Sequence, residues 1–89
     1  MRYRVEVAPA AGRDLKRLPR SVHEALQDAI TALGDDPWPP GSRKVIGRER
    51  SHRIRVGAFR VIYDVFDDER LVVVARVARR TETTYRRLR

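Results

Sequence analysis

The fold is decided by one stretch of the chain, His52-Arg53-Ile54-Arg55-Val56-Gly57-Ala58-Phe59-Arg60-Val61-Ile62-Tyr63-Asp64. Side chains alternate between the two faces of a β-strand, so the first half of this stretch places its arginines on one face and its aliphatic residues on the other. The two arginines are Arg53 and Arg55. Gly57-Ala58 is typical of a two-residue turn, and a second alternating strand follows it. We therefore predict a β-hairpin.

The return strand separates its side chains in the same way. One parity holds Phe59, Val61, Tyr63 and Val65, and the other holds Arg60, Ile62 and Asp64. The hairpin therefore joins an aliphatic and aromatic face to a face that carries Arg53, Arg55 and Arg60. We expect function on this basic face; the alternative interpretation is a solvated strand surface with no function.

The length and composition of the chain limit the classes of protein that it can belong to. Its 89 residues are expected to form one domain, residues 1–89, with a small core. Because there is no cysteine and the two histidines are far apart, neither disulfides nor a zinc site is predicted, and we expect no cofactor. The sequence shows no signal peptide and no apolar run of membrane-spanning length, so a cytoplasmic protein is expected.

The charge of the chain is strongly positive. Lys and Arg number 20 against 12 Asp and Glu, which gives a formal charge of +8, and all of these cations except Lys16 and Lys44 are arginines. Guanidinium groups bind phosphate oxygens in pairs, so the composition is consistent with nucleic-acid binding. A GC-rich genome also favours arginine codons, and composition alone therefore leaves the question open.

The first part of the chain predicts a strand and a helix. Residues 3–7 alternate as a strand does, and Pro9 suits the first position of a helix because its missing N–H costs nothing there. Pro19 ends this helix. The apolar stripe of the helix consists of Ala11, Leu15 and Leu18.

A second helix is predicted after Pro19-Arg20. Ser21-Val22-His23-Glu24 has the S-x-x-E pattern of a capping box, and Gly34 is placed to end the helix. The apolar stripe of this helix consists of Val22, Leu26, Ala29, Ile30 and Leu33. The two helices are predicted to be antiparallel and joined at Pro19-Arg20.

The rest of the chain predicts a loop and further strands. Residues 35–42 contain prolines at 37, 39 and 40 and form a loop, and residues 43–50 could hold a short extended piece before the hairpin. Residues 71–77, Leu-Val-Val-Val-Ala-Arg-Val, are typical of a strand buried on both faces in the middle of a sheet.

The order β-α-α-β-β-β predicts an α+β fold. We expect two N-terminal antiparallel helices on one face of a mostly antiparallel four-stranded sheet, with the other face open. Arg53, Arg55 and Arg60 would lie on the open face, together with Ile62.

The available chemistry is that of arginine, tyrosine and phosphate. Arg53 and Arg55 would stand about 6.6–6.8 Å apart on one strand, with Arg60 across the hairpin. Such a cluster can bind the bridging phosphate of RNA and the additional negative charge that develops when a 2′-hydroxyl attacks it. Arginine is a poor general base because it stays protonated.

Tyr85 has three possible roles. Its phenol could accept a proton if neighbouring guanidiniums lower its pKa, it could stack on an unstacked base, or it could pack the tail onto the sheet. His23 and His52 are expected to face solvent and to take no part in catalysis.

The chain resembles the RelE/ParE superfamily of toxins from bacterial type II toxin–antitoxin systems, and its RelE-like branch most closely. The resemblance covers nearly the whole chain, and the hairpin with its Arg60-Val61-Ile62-Tyr63 return strand is the most recognisable part. The other matching segments are Tyr3-Arg4-Val5-Glu6-Val7, Arg13-Asp14-Leu15-Lys16-Arg17-Leu18-Pro19 and Gly34-Asp35-Asp36-Pro37.

The resemblance implies a metal-independent endoribonuclease with a compact fold similar to that of microbial RNases. Such toxins cut messenger RNA, typically in the A site of the 70S ribosome, by attack of a 2′-hydroxyl on the adjacent phosphate. They are neutralised by an antitoxin encoded beside them, which is usually DNA-binding. Carried over by position, the catalytic residues implied are Arg53, Arg55, Arg60, Arg80 and Tyr85.

The chain departs from its relatives at two places. Ala78-Arg79-Arg80-Thr81 stands where relatives often have Gly-His-Arg-Arg, and arginines at 53 and 55 replace lysines. We therefore assign Tyr85 as the base and the arginines as stabilisers of the phosphate. The alternatives are a ParE-like toxin, which inhibits DNA gyrase and is not a nuclease, and a degenerate toxin that binds RNA or antitoxin without cutting.

Overall fold

The structure is a computed structural model, and it describes residues 2–80. Its elements are β1 (Arg4–Val7), α1 (Pro9–Arg17), α2 (Arg20–Ala32), β2 (Arg43–Lys44), β3 (Ser51–Val56), β4 (Phe59–Phe66) and β5 (Leu71–Arg79). The strands form one sheet in the order β1-β5-β4-β3-β2. β1 pairs with β5 in parallel, and the other neighbouring strands pair antiparallel. The predicted α+β class is confirmed.

The sheet has five strands where four were expected. The additional strand is β2, in which Arg43 pairs with Arg53 and Lys44 with His52. The extended piece expected before the hairpin therefore joins the sheet and forms the edge beside β3.

The core lies between the helices and one face of the sheet. The predicted apolar parity of the hairpin is confirmed, because Ile54 and the alternate residues of β4 are buried with side chains from both helices. The buried set is Ala11, Leu26, Ile30, Leu33, Ile54, Phe59, Val61, Tyr63, Val65, Val72, Val74 and Val77. The arginine parity is left on the uncovered face, as predicted.

Both helices start and end near the predicted positions, but one cap differs. α1 begins at Pro9, whereas α2 begins at Arg20 with Pro19 in the N-cap position and no side-chain cap. The predicted capping box is therefore wrong, because Ser21 lies inside the helix, where its hydroxyl is no longer at the cap. Within residues 2–80, neither helix has the length and apolar character needed to cross a membrane.

Gly34 follows α2, but its role is close packing. The Tyr3 N–H donates a hydrogen bond of 2.7 Å to the Gly34 carbonyl. A Cβ at Gly34 would lie 3.0 Å from the Tyr3 carbonyl oxygen, tighter than most real Cβ contacts, so the backbone of β1 would have to shift. The absence of a side chain here lets β1 lie directly against the end of α2.

β5 contains a β-bulge that changes which residues face the core. Ile62 pairs with Arg76 but its neighbour Tyr63 pairs with Val74, so Ala75 is an extra residue without a partner on β4. The bulge shifts the alternation by one, and Val77 becomes buried while Arg76 is exposed. The expectation of a strand buried on both faces is wrong, because the helices cover only one face of the sheet.

A carboxylate on α1 accepts a backbone hydrogen bond from the part of β5 that lies beyond its pairing with β1. β1 pairs with β5 only as far as Val7 and Val74, and α1 packs against β5. There Asp14, only 9% exposed, accepts a hydrogen bond of 2.9 Å from the Val77 N–H and bonds of 2.8 and 3.1 Å from the Arg76 guanidinium. The bonds from Arg76 hold the pKa of Asp14 below its ordinary value.

Candidate functional site

A depression of about 340 Å³ opens on the side of the hairpin that carries the arginines. Its lining consists of Pro40, Gly41, Arg43, Arg53, Ile54, Arg55 and Arg60. Three of the five residues implied by the resemblance, Arg53, Arg55 and Arg60, therefore meet in one site.

The register of the sheet sets the arginines against one another. Arg55 lies directly opposite Arg60 across the hairpin, and Arg43 lies opposite Arg53 across the neighbouring pair of strands. Like charges directly opposite each other destabilise a sheet. The arrangement therefore lowers the stability of the sheet when no anion is bound, and it favours the binding of an anion between the guanidiniums.

The turn and the bulge together bring Arg80 to the same end of the sheet. Gly57 adopts the left-handed conformation of the turn, with φ of 59°. The Arg80 N–H donates a hydrogen bond of 2.7 Å to the carbonyl of Ala58 in this turn. Because Ala78 pairs with Arg60, Arg80 follows two residues later on the uncovered face. It is near the depression but is not one of its lining residues.

The guanidinium of Arg80 is partly enclosed. Its Nε is buried and has no hydrogen-bond partner among residues 2–80. The neighbouring Arg79 pairs with Phe59 in β4 and places its guanidinium 4.9 Å from the centre of that ring, on the core side. Arg80 and not Arg79 is thus the arginine available to the uncovered face. Tyr85 lies outside residues 2–80, and its placement and role remain predictions.

Arg43 belongs to the site but was missed from the sequence. It stands on a strand of only two residues that follows a proline-rich loop, where strand periodicity cannot be recognised. The available signal was its basic character just before the hairpin, at a distance that permits a further strand. The pairing with Arg53 could be seen only in the structure.

The loop before Arg43 is held from the core side of the sheet. The hydroxyl of Tyr63, which is fully buried, donates a hydrogen bond of 2.6 Å to the Pro37 carbonyl. Burial raises the pKa of Tyr63 to about 12, so the phenol keeps its proton at neutral pH. Trp38 then packs edge-on against Tyr3 and His52, with ring centroids 6.0 and 6.4 Å apart.

Both histidines are half-buried, and the expectation that they face solvent is wrong. His52 stacks on Tyr63 with ring centroids 5.8 Å apart, and burial together with nearby Lys44 lowers its pKa. His23 Nε2 donates a hydrogen bond of 2.8 Å to the Leu15 carbonyl and so ties α2 to α1. Neither side chain lines the depression.

The lining residues determine what the depression can do chemically. Guanidiniums donate several hydrogen bonds in a fixed plane, which suits phosphate oxygens. They remain protonated and cannot accept a proton at neutral pH. The depression can therefore bind phosphate and stabilise negative charge, but its arginines do not supply a general base.

Comparison with known proteins identifies the family. The family described as the ParE toxin of type II toxin–antitoxin systems, parDE, matches residues 5–84. Toxin RelE of Mycobacterium tuberculosis is 32% identical over 80 residues, which are 89% of this chain and 82% of that protein. A protein designated toxin RelE1 of Methanocaldococcus jannaschii is 31% identical over 83 residues, covering 90% of this chain and 92% of that one.

Solved structures agree with this assignment. The toxin–antitoxin complex RelBE2 of M. tuberculosis contains a chain with a TM-score of 0.78 at 28% identity, covering 90% of this chain and all (100%) of that one. The isolated RelE toxin of E. coli shares the fold, with a TM-score of 0.76 at 21% identity over 97% of this chain and 95% of that one. The chain belongs to the RelE/ParE superfamily of toxins of type II toxin–antitoxin systems, as its resemblance predicted.

Proposed function

We propose that this toxin is a metal-independent endoribonuclease that cleaves messenger RNA in the ribosomal A site. The observation that carries the proposal is the depression in which Arg53, Arg55 and Arg60 converge. Among residues 2–80 the lining consists of arginines without a carboxylate, which suits a phosphate that gains charge during the reaction.

The proposed reaction is an attack of the 2′-hydroxyl on the adjacent phosphorus. The O2′–P bond forms and the P–O5′ bond breaks, which leaves a cyclic phosphate on one fragment and a 5′-hydroxyl on the other. The 2′-hydroxyl proton passes to a base, assigned here to Tyr85, and the leaving 5′-oxygen takes up a proton. Arg53, Arg55 and Arg60 donate hydrogen bonds to the phosphate oxygens and stabilise the additional charge of the transition state.

Arg80 is proposed to complete this set. Its Nε is buried without a partner among residues 2–80, and a buried donor of this kind needs an acceptor, which a phosphate oxygen could supply. Its position beside the turn, on the face of Arg60, is consistent with an approach to the same phosphate from the side of β5.

The test is primer extension on a messenger programmed into ribosomes. Wild type should cut at A-site codons, and Arg60→Ala should slow cleavage about 10²- to 10³-fold, the usual cost of removing one donor that stabilises transition-state charge. Arg13→Ala, on the exposed side of α1, removes the same charge far from the depression and should cut at the wild-type rate. Tyr85→Phe tests the assigned base. Intact messenger with the wild-type protein would overturn the proposal.

We also propose a cognate antitoxin as partner, encoded beside this chain and carrying a DNA-binding element. The support is that the similar M. tuberculosis chain was solved as a toxin–antitoxin complex. Action on translating ribosomes would place the protein in the cytoplasm. Co-expression with the adjacent reading frame should suppress cleavage and yield a complex that purifies intact.

A second candidate function is inhibition of DNA gyrase. It is favoured by the match to the ParE toxin family over residues 5–84. Gyrase supercoiling measured in parallel with primer extension separates the two functions. Stalled supercoiling with intact messenger would make the protein a gyrase inhibitor and the depression a docking surface. RNA binding without either effect would indicate a degenerate toxin.

A further inference from the structure

We propose that Arg43 is a fifth RNA-binding arginine, which holds the phosphate next to the one that is cleaved. In this proposal the loop of residues 37–42 forms a fixed second wall of the site. The inference rests on the proposed RNA-binding function and adds a subsite that positions the strand.

The first support is the placement of Arg43. β2 is two residues long, lies at the edge of the sheet and sets Arg43 opposite Arg53. A cation opposite a cation on an edge strand contributes nothing favourable to sheet pairing. Within residues 2–80, Arg43 forms no ion pair with a carboxylate, so its charge stays available to an anion in the depression that it lines.

The second support is the rigidity of the wall that carries Arg43. Tyr63 holds Pro37 from the buried side of the sheet, and the Ser42 N–H donates a hydrogen bond of 2.9 Å to the Pro39 carbonyl. Gly41 between them has φ of 91°, a conformation that other residues rarely adopt. The proline-rich loop is thus fixed before RNA binds, which reduces the entropy lost on binding.

The third support is the order of the arginines along β3. Arg43 and Arg53 form one row across the strands, and Arg55 and Arg60 form the next row. The two rows are about 6.6–6.8 Å apart, because they are two residues apart on β3. Arg80 lies beside the row of Arg60, so the cleaved phosphate is assigned to that row, which Arg53 approaches from the next position on its face of β3. Arg43, across from Arg53 on β2, then meets the neighbouring phosphate.

The test uses a single-stranded RNA whose 2′-hydroxyls are all methylated, so that it binds but is not cleaved. Fluorescence anisotropy over a salt series gives both affinity and its salt dependence. Arg43→Ala should weaken binding about tenfold at low salt and reduce the slope of log K against log salt by about 0.7, the value for one phosphate contact on a single strand.

Lys44→Ala is the matched control. Lys44 is the adjacent residue of β2, carries the same charge, pairs with His52 and does not line the depression. It should change the slope by less than half as much as Arg43→Ala. Arg43→Lys should recover the slope but only part of the affinity, because an ammonium lacks the planar fork.

Single-turnover cleavage of messenger programmed into ribosomes separates positioning from chemistry. Arg43→Ala should raise the concentration of programmed ribosomes at half-maximal rate about tenfold and leave the rate at saturation within about threefold of wild type, whereas Arg60→Ala lowers the saturating rate.

The outcomes distinguish this inference from the proposed nuclease function. Equal effects of Arg43→Ala and Lys44→Ala in a protein that cleaves RNA would overturn the inference and leave the nuclease intact. A wild type that binds the methylated RNA through Arg43 but never cleaves would support the inference and overturn the nuclease. A wild type that cleaves messenger on ribosomes but does not bind the methylated RNA would overturn the inference alone, and one that does neither would overturn both.

Discussion

Arginine serves two different purposes in two regions of this sheet. At the corner of β5, Arg76 lies against Asp14 and helps to fasten α1 to the strand. In the depression, Arg55 faces Arg60, and none of the lining residues within 2–80 is a carboxylate. The two regions differ in what faces the arginine: Arg76 has a carboxylate that ties it to the fold, whereas Arg55 faces a second cation and lines a depression that suits an anion.

The largest effect on stability is expected where Asp14 of α1 contacts Arg76 and Val77 of β5. Asp14→Ala leaves the Val77 N–H buried without an acceptor and should lower the free energy of unfolding by about 1–3 kcal/mol. Urea denaturation measures the change. Asp28→Ala, at an exposed position of α2, is the control and should have little effect.

The contact of Asp14 with β5 also predicts that the stability of the protein depends on pH. The pKa of Asp14 is lower in the folded protein than the unfolded value of about 3.9, so its contribution is present above about pH 4 and is lost as the pH falls further. Stability of the Asp14→Ala variant should fall less steeply below pH 4. An equally steep fall in both proteins would show that Asp14 is not the group that titrates.

An intermediate effect is expected when an anion fills the depression. Inorganic phosphate at ten times its dissociation constant should stabilise the wild type by about 1.4 kcal/mol, seen as a rise in melting temperature. Arg55→Gln should reduce the rise at the same phosphate concentration, and Arg13→Ala should not. Equal rises in all three proteins would place the bound phosphate elsewhere.

The smallest effect has the opposite sign. Arg55→Gln removes one cation from the pair with Arg60 and should raise the free energy of unfolding by about 0.2–1 kcal/mol at low salt. The gain should disappear in high salt, where the repulsion is screened. Arg76→Gln should instead destabilise the protein. Destabilisation by both substitutions would break the distinction between the two regions.

The sequence predicted the parts of the fold that follow from local periodicity. Alternation in the hairpin placed Arg53, Arg55 and Arg60 on the open face, and Pro9 marked the start of α1. These features depend on neighbours only a few residues apart in the chain, and they carry most of the site.

The features that were missed depend on distant parts of the chain. In the sequence, Asp14 is one more polar residue of a helix. The donor of its hydrogen bond, the Val77 N–H at the edge of β5, lies 63 residues away in the chain. Arg43 joins the site only because β2 pairs with β3. The histidines are covered by elements whose positions the sequence alone does not provide.

The bulge at Ala75 also affects how relatives of this toxin are compared. After the bulge, the alternation of side chains between the two faces of β5 is shifted by one residue. Arg80 and not Arg79 therefore shares the face of Arg60. Against a relative whose β5 has no bulge, an alignment that does not allow for one extra residue would match the wrong member of this arginine pair. Equivalence at the end of this strand is therefore defined by pairing with β4, not by distance along the chain.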